Sequence, residues 1–98
     1  MNPAKVRRDR LEKLTDLPNI GPAMAKDFAV LGIKTPAQLK GRDPLELYRE
    51  LCKKTRTRQD PCVLDTFISV VRFLAGEKPK PWWLYTEGRK KLYRHELS

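Results

Sequence analysis

The sequence predicts an all-α fold, a compact bundle of about five to six short helices followed by an extended, tryptophan-bearing C-terminal segment. Three observations lead there. Apolar residues recur at intervals of three and four, and no stretch shows the sustained alternation of a half-buried strand. Proline stands just inside several apolar runs, preceded by Asp or Thr, in the pattern of capped helix starts. Ninety-eight residues, 40% of them apolar, suffice for one core and not comfortably for two, so residues 1–98 are expected to form a single domain.

A first helix is expected from about Val6 to Thr15, with Leu11 and Leu14 turned inward among charged neighbours. After the turn Leu17-Pro18-Asn19-Ile20-Gly21, Pro22 opens a second helix carrying Met24, Phe28 and Leu31 on its inner face, and Gly32 supplies a left-handed stop. Thr35-Pro36 starts a short helix through Leu39, and Asp43-Pro44 repeats the device for a helix reaching about Lys54. Asp60-Pro61 opens the most apolar helix, with Leu64, Phe67, Ile68, Val71 and Leu74 as an inward stripe and Gly76 at its end. Val63, Val70 and Phe73 widen that surface, so neighbours should cover this helix on more than one side. From Glu77 to Pro81 lysine alternates with proline and the chain should run extended, delivering Trp82, Trp83 and Tyr85. Thr86-Glu87 then starts a last helix that frays near Ser98. The chain thus divides into a hairpin core (9–39), a helical support (43–76), and a Pro/Trp segment with a basic tail (77–98).

The turn before Pro22 carries the chemistry. Proline at the first helical position gives up an amide that would have no intrahelical partner, and the other first-turn amides face outward. The helix dipole adds about half a positive charge there, so a phosphate oxygen suits the site. Asn19 is a residue type that tolerates a left-handed backbone. The expected nucleic-acid contacts are therefore the main-chain N–H groups around Gly21, Ala23 and Met24, framed by Asn19 and Ile20, with Lys26 one turn on as a screening cation. An ordinary helical corner uses the same residue types, and this run alone leaves both readings open.

Residues Leu11 to Leu39 resemble a helix-hairpin-helix motif, with Ala25 as the small residue that lets the two helices approach. With DPCVLDTFISVVRF and PKPWWLYT included, about residues 9 to 90 resemble the small bacterial proteins labelled pathogenicity-locus or mitomycin-resistance-like. The resemblance implies a SAM-like, helix-hairpin-helix architecture and sequence-independent contact with a DNA backbone. Such hairpins often come in pairs, and Leu45 to Leu74 has a suitable length for a second. Its connection KKTRTRQDP holds no glycine, however, and the unit reads as a packing partner.

Twenty-one Lys and Arg against 12 Asp and Glu give a formal charge of +9, which favours a polyanionic partner. The cations gather as Lys5, Arg7, Arg8, Arg10 and Lys13; as Lys53, Lys54, Arg56 and Arg58; and as Arg89, Lys90, Lys91 and Arg94. Each cluster is either a phosphate track or a solvated face. No segment has the apolar core of a signal peptide or the roughly 20 apolar residues of a membrane span, so a cytoplasmic protein without a membrane partner is expected. Cys52 and Cys62 should then be buried, inert thiols, and His95 in the tail supplies no convincing third metal ligand. Asp9, Glu12, Asp16, Asp27, Asp43, Asp60 and Asp65 read as caps, helix-start charges or surface partners. No nucleophile–base pair stands at a meaningful spacing, so no catalytic residue, metal, cofactor or small-molecule substrate is expected.

The expected function is a non-catalytic, largely sequence-independent DNA-binding module gripping phosphate at Asn19 to Met24. The alternative is a protein-interaction module using an exposed surface of Trp82, Trp83 and Tyr85. In the simpler reading the paired tryptophans close the core, one staying exposed because adjacent residues in an extended segment face opposite ways. Stacking on unpaired bases is a further use for them. Phosphate contact by itself does not separate DNA from RNA.

Overall fold

A proline at the first helical position starts three of the four α-helices found among the described residues: α1 (Pro22–Val30), α2 (Pro44–Thr55) and α3 (Pro61–Leu74). The fourth, α4 (Thr86–Leu97), continues directly from a short 3-10 turn, and no strand is present among the described residues. This is a computed structural model that describes residues 2–97, with side chains described through residue 92. The expected fraying near Ser98 and the side chains of Arg94 and His95 lie outside the described residues.

Local signals account for the ends of these helices. The carboxylates of Asp43 and Asp60 accept hydrogen bonds from the N–H groups of Leu45 (3.0 Å) and Cys62 (2.9 Å), capping α2 and α3. Gly32, at φ 76°, ends α1, and the Ile33 N–H returns to the Phe28 carbonyl at 2.9 Å. Arg56 takes the same left-handed role after α2 at φ 54°, with Thr57 N–H bonded to the Cys52 carbonyl at 3.1 Å. The expected short helix at Pro36–Leu39 is a 3-10 turn, whose Gln38 side-chain oxygen accepts from the amides of Lys34 (2.6 Å) and Thr35 (3.0 Å).

α3 is the centre of the core, buried without a break from Leu64 to Val70. The inward stripe is wider than the one expected: Val70 and Phe73 are buried, whereas Val71 and Leu74 are half-buried at its edge. The breadth follows from cover by α2 and by the Trp82–Tyr85 turn with α4. Phe28 joins α1 to this core, its ring stacked on Phe67 at 5.1 Å between centroids, while Met24 and Leu31 pack at the margin.

Two expectations are corrected. Residues 6–15 do not form an α-helix; they fold as 3-10 turns at Arg8–Arg10 and Leu14–Asp16. The Asp16 carboxylate accepts from the amides of Glu12 (3.0 Å) and Lys13 (2.8 Å), which captures donors that a helix would direct to carbonyls. Arg8 is held further away still, donating to the carbonyls of Phe73 (2.6 Å) and Glu77 (2.8 Å) with its guanidinium 4.1 Å above the Phe73 ring. The segment 9–39, expected as a hairpin core, therefore has one α-helix, and the α-helix count falls below that expected. The tryptophans, in turn, are not on extended chain: Trp82–Tyr85 is a 3-10 turn, closed by Leu84 N–H to the Pro81 carbonyl at 3.2 Å. Only the strap 77–81 before it lacks helical structure, because Pro81 with its fixed φ is preset to enter a helical turn.

Candidate nucleic-acid interface

Pro18 and Asn19 occupy the centre of the turn that leads into α1. Asn19 sits at φ 66°, and Ile20 N–H closes back on the Leu17 carbonyl at 3.4 Å, the form of a type II turn. Leu17, Pro18 and Ile20 are buried and fasten the turn to the core. Ile20, expected to frame the phosphate contacts, thus anchors the turn with both its side chain and its amide.

Gly21 follows in extended backbone, with φ −99° and ψ −175°. The first ladder bond of α1 runs from Ala25 N–H to the Gly21 carbonyl at 3.0 Å. The N–H groups of Gly21, Ala23 and Met24 have no acceptor among the described residues. Pro22, Ala23 and Lys26 are exposed, so these donors open towards solvent at the positive end of the helix dipole. A Cβ built on Gly21 meets nothing within 4 Å. Neither backbone conformation nor internal packing therefore calls for glycine at this position.

Asn19 does more than adopt a left-handed backbone. Its side-chain amide donates to Ser69 Oγ on α3 at 3.0 Å and to the Lys80 carbonyl at 2.8 Å. The side chain is thereby turned into the fold and ties the turn to the strap 77–81. Within that strap Glu77 accepts from Tyr85 Oη (2.9 Å) and Lys80 Nζ (3.2 Å). Burial works to raise the Glu77 carboxyl, but these hydrogen bonds and the charges of Lys80 and Arg72 overcome it and hold the group below the usual carboxylate range. Tyr85 is pushed up to about 12, by burial first and then by its bond to Glu77. Trp82 is half-buried and meets Trp83 edge-on at 5.7 Å, whereas Trp83 and Leu84 are 59% and 60% exposed. Tyr85 is buried, which removes it from the expected aromatic surface.

The basic clusters divide between structure and surface. Arg8 caps the end of α3, Arg7 pairs with Asp9 at 3.4 Å, and Lys54 pairs with Glu50 at 3.4 Å. Arg89 lies against Asp65 at 2.8 Å, and Thr86 Oγ1 donates to the same carboxylate at 2.8 Å. Asp65 is fully buried and joins α3 to α4, not the cap or surface partner its sequence position suggested. An acid standing inside the most apolar run of the chain was the signal for that role. Arg7 and Lys54 are nevertheless exposed, as are Lys5, Arg10, Lys13, Lys26, Lys53, Arg56, Lys78, Lys90 and Lys91.

Cys52 and Cys62 are free thiols, each half-buried rather than buried as expected; the Gln59 amide donates to Cys52 Sγ at 3.3 Å, and burial pushes the Cys62 thiol up. Among the described residues no group of three or more His, Cys, Asp or Glu could hold a metal ion, and no helix is long and apolar enough to cross a membrane.

Comparison with known proteins adds a family. The model of a family described as pathogenicity locus matches residues 7–91. The mitomycin resistance protein McrB of Streptomyces lavendulae is 45% identical over 83 residues, 85% of this chain and 79% of that protein. No solved structure matches the chain.

Proposed function

The chain belongs to the pathogenicity-locus family, and we propose that it is a non-catalytic DNA-binding module that holds backbone phosphate at the turn leading into α1. The observation that carries this reading is the set of outward amides at Gly21, Ala23 and Met24, beside a glycine that nothing in the fold requires. A phosphate oxygen approaching the Gly21 backbone would gain donors already oriented by the buried Leu17 and Ile20 on one side and by α1 on the other. Lys26 adds an exposed cation one turn along, and the formal charge of +9 draws a polyanion towards the surface. Contacts of this kind touch no base edge, so binding should depend strongly on salt and weakly on sequence. The acids fit a non-enzyme: Asp16, Asp43 and Asp60 receive backbone amides, and Asp65 is bound to Arg89.

A titration of labelled duplexes of unrelated sequence across a salt series tests the proposal. Affinities should be similar for all sequences and fall linearly in log–log form as salt rises. Lys26→Ala should weaken every sequence alike and reduce the salt slope by about one. Absence of any salt-sensitive affinity for DNA would falsify the reading, and tighter binding to RNA of matched sequence would redirect it. The exposed Trp83 and Leu84 favour a second reading, a protein partner docked on that face. It predicts that Trp83→Ala abolishes partner capture while Gly21 variants leave it intact.

A further inference from the structure

Trp83 is a large apolar ring held in the open. It is 59% exposed on a turn fixed by Leu84 N–H to the Pro81 carbonyl, and it meets the half-buried Trp82 ring at 84° with 5.7 Å between centroids. The approach is stiffened by Pro79 and Pro81 and flanked by exposed Lys78 and Lys80. Through the Asn19 bond to the Lys80 carbonyl, this strap is fastened to the residue two places before Gly21. From Lys80 to Trp83 is at most about 11 Å of chain, and the ring stands on the turn that directly follows the strap Asn19 holds.

We propose that Trp83 is a stacking platform for an unpaired base, and that the preferred ligand is therefore DNA with a single-stranded portion, its phosphate at the Gly21 turn and its base on the indole. The inference rests on the phosphate reading of that turn. Cations beside an exposed aromatic favour a polyanion carrying π-faces over an apolar protein segment, since every base offers a ring and every linkage a charge. Asn19 acts as a positioning residue. Glycine would accept its φ of 66° more easily, but would release the strap that carries the ring.

Binding of labelled oligothymidylate, a blunt duplex and the same duplex with a single-stranded overhang is compared in the wild type, Trp83→Ala, Trp83→Phe, Asn19→Gly and Gly21→Ala, each checked for its fold by circular dichroism. Trp83→Ala should lose about tenfold or more in affinity for the oligothymidylate and the overhang, and under about twofold for the blunt duplex. Trp83→Phe should recover most of the loss, and Asn19→Gly should shift the single-strand preference towards that of Trp83→Ala. Gly21→Ala should weaken all three ligands together. Equal losses on blunt and single-stranded ligands in Trp83→Ala, or none on either, overturn the platform while leaving the phosphate site standing. An Asn19→Gly variant that keeps the full preference overturns the tether. A wild type that binds none of the three overturns both proposals and leaves the ring to a protein partner.

Discussion

Gly21→Ala separates folding from binding. In the fold, a methyl group at this position enters open space, and φ −99° with ψ −175° is extended backbone that alanine adopts freely. Two opposed effects set the stability change. Replacing a glycine whose conformation alanine can take stabilises by about 0.4–1 kcal/mol, through the narrower unfolded ensemble. Against this, alanine is a poorer N-cap than glycine by about 0.5 kcal/mol, because it shields first-turn amides from water. The net should lie within about 0.5 kcal/mol of zero, moving Tm by less than about 4 °C. Binding has no such compensation. The methyl stands where a phosphate oxygen would approach the Gly21 backbone, and loss of one hydrogen bond to a charged group costs about 1.5–3 kcal/mol, or roughly 10- to 150-fold in Kd. Thermal unfolding followed by circular dichroism and anisotropy titration on one duplex at one salt concentration measure both halves. A variant that folds as the wild type and binds as tightly refutes the phosphate site. One that unfolds refutes the claim that the glycine has no structural duty.

Other substitutions probe the contacts that shape the site. Arg8→Ala removes two hydrogen bonds from the carbonyls at the end of α3 and the cation over Phe73; a loss of about 1 kcal/mol is expected in a urea titration, with DNA affinity nearly unchanged. Arg89→Ala strands the buried Asp65 carboxylate with Thr86 as its remaining partner, so stability should fall by about 3 kcal/mol; a loss below about 1 kcal/mol would show that the pair behaves as an exposed one. Tyr85, raised from 10.0 to about 12, favours the neutral phenol in the fold, so its contribution is complete below pH 10 and is lost as pH rises through about 12. Denaturation midpoints across that window should fall less steeply in Tyr85→Phe than in the wild type. Glu77, lowered from 4.5, acts with the opposite sign: its contribution is present above that value and disappears as pH falls through the folded one, and Glu77→Gln should flatten the acid limb.

What could be read from the sequence follows the distance over which each feature is decided. The starts of α1, α2 and α3 depend on a proline and the residue before it, and Gly32 and Gly76 mark helix ends through positive φ. Those signals lie within a few residues of their effects. Residues 6–15 had helical spacing but only Val6, Leu11 and Leu14 to bury, and their conformation was decided by the Asp16 carboxylate capturing two amides and by Arg8 reaching carbonyls 65 and 69 positions away. Asp65 read as a surface acid because its partners Thr86 and Arg89 stand 21 and 24 positions on. For the tryptophans, extended chain was expected where Pro81 instead opens a 3-10 turn, so the exposure of one ring was legible while its geometry was not.

Asn19 joins these two kinds of information. Its backbone role was legible, since the turn needs a positive φ and asparagine is among the few side chains that supply one. Holding a non-glycine residue in that region costs about 1 kcal/mol or more, and two side-chain hydrogen bonds of about 1 kcal/mol each offset it. Only the fold shows that those bonds go to Ser69 and Lys80, 50 and 61 positions distant. Asn19 and buried Ile20 thus fix the chain immediately before Gly21, while Ala25 N–H fixes it from the helix side. The three outward amides are consequently oriented before any ligand arrives, so little ordering cost opposes phosphate binding there. Affinity should then be limited by the number of charges engaged along the backbone rather than by rearrangement of the turn.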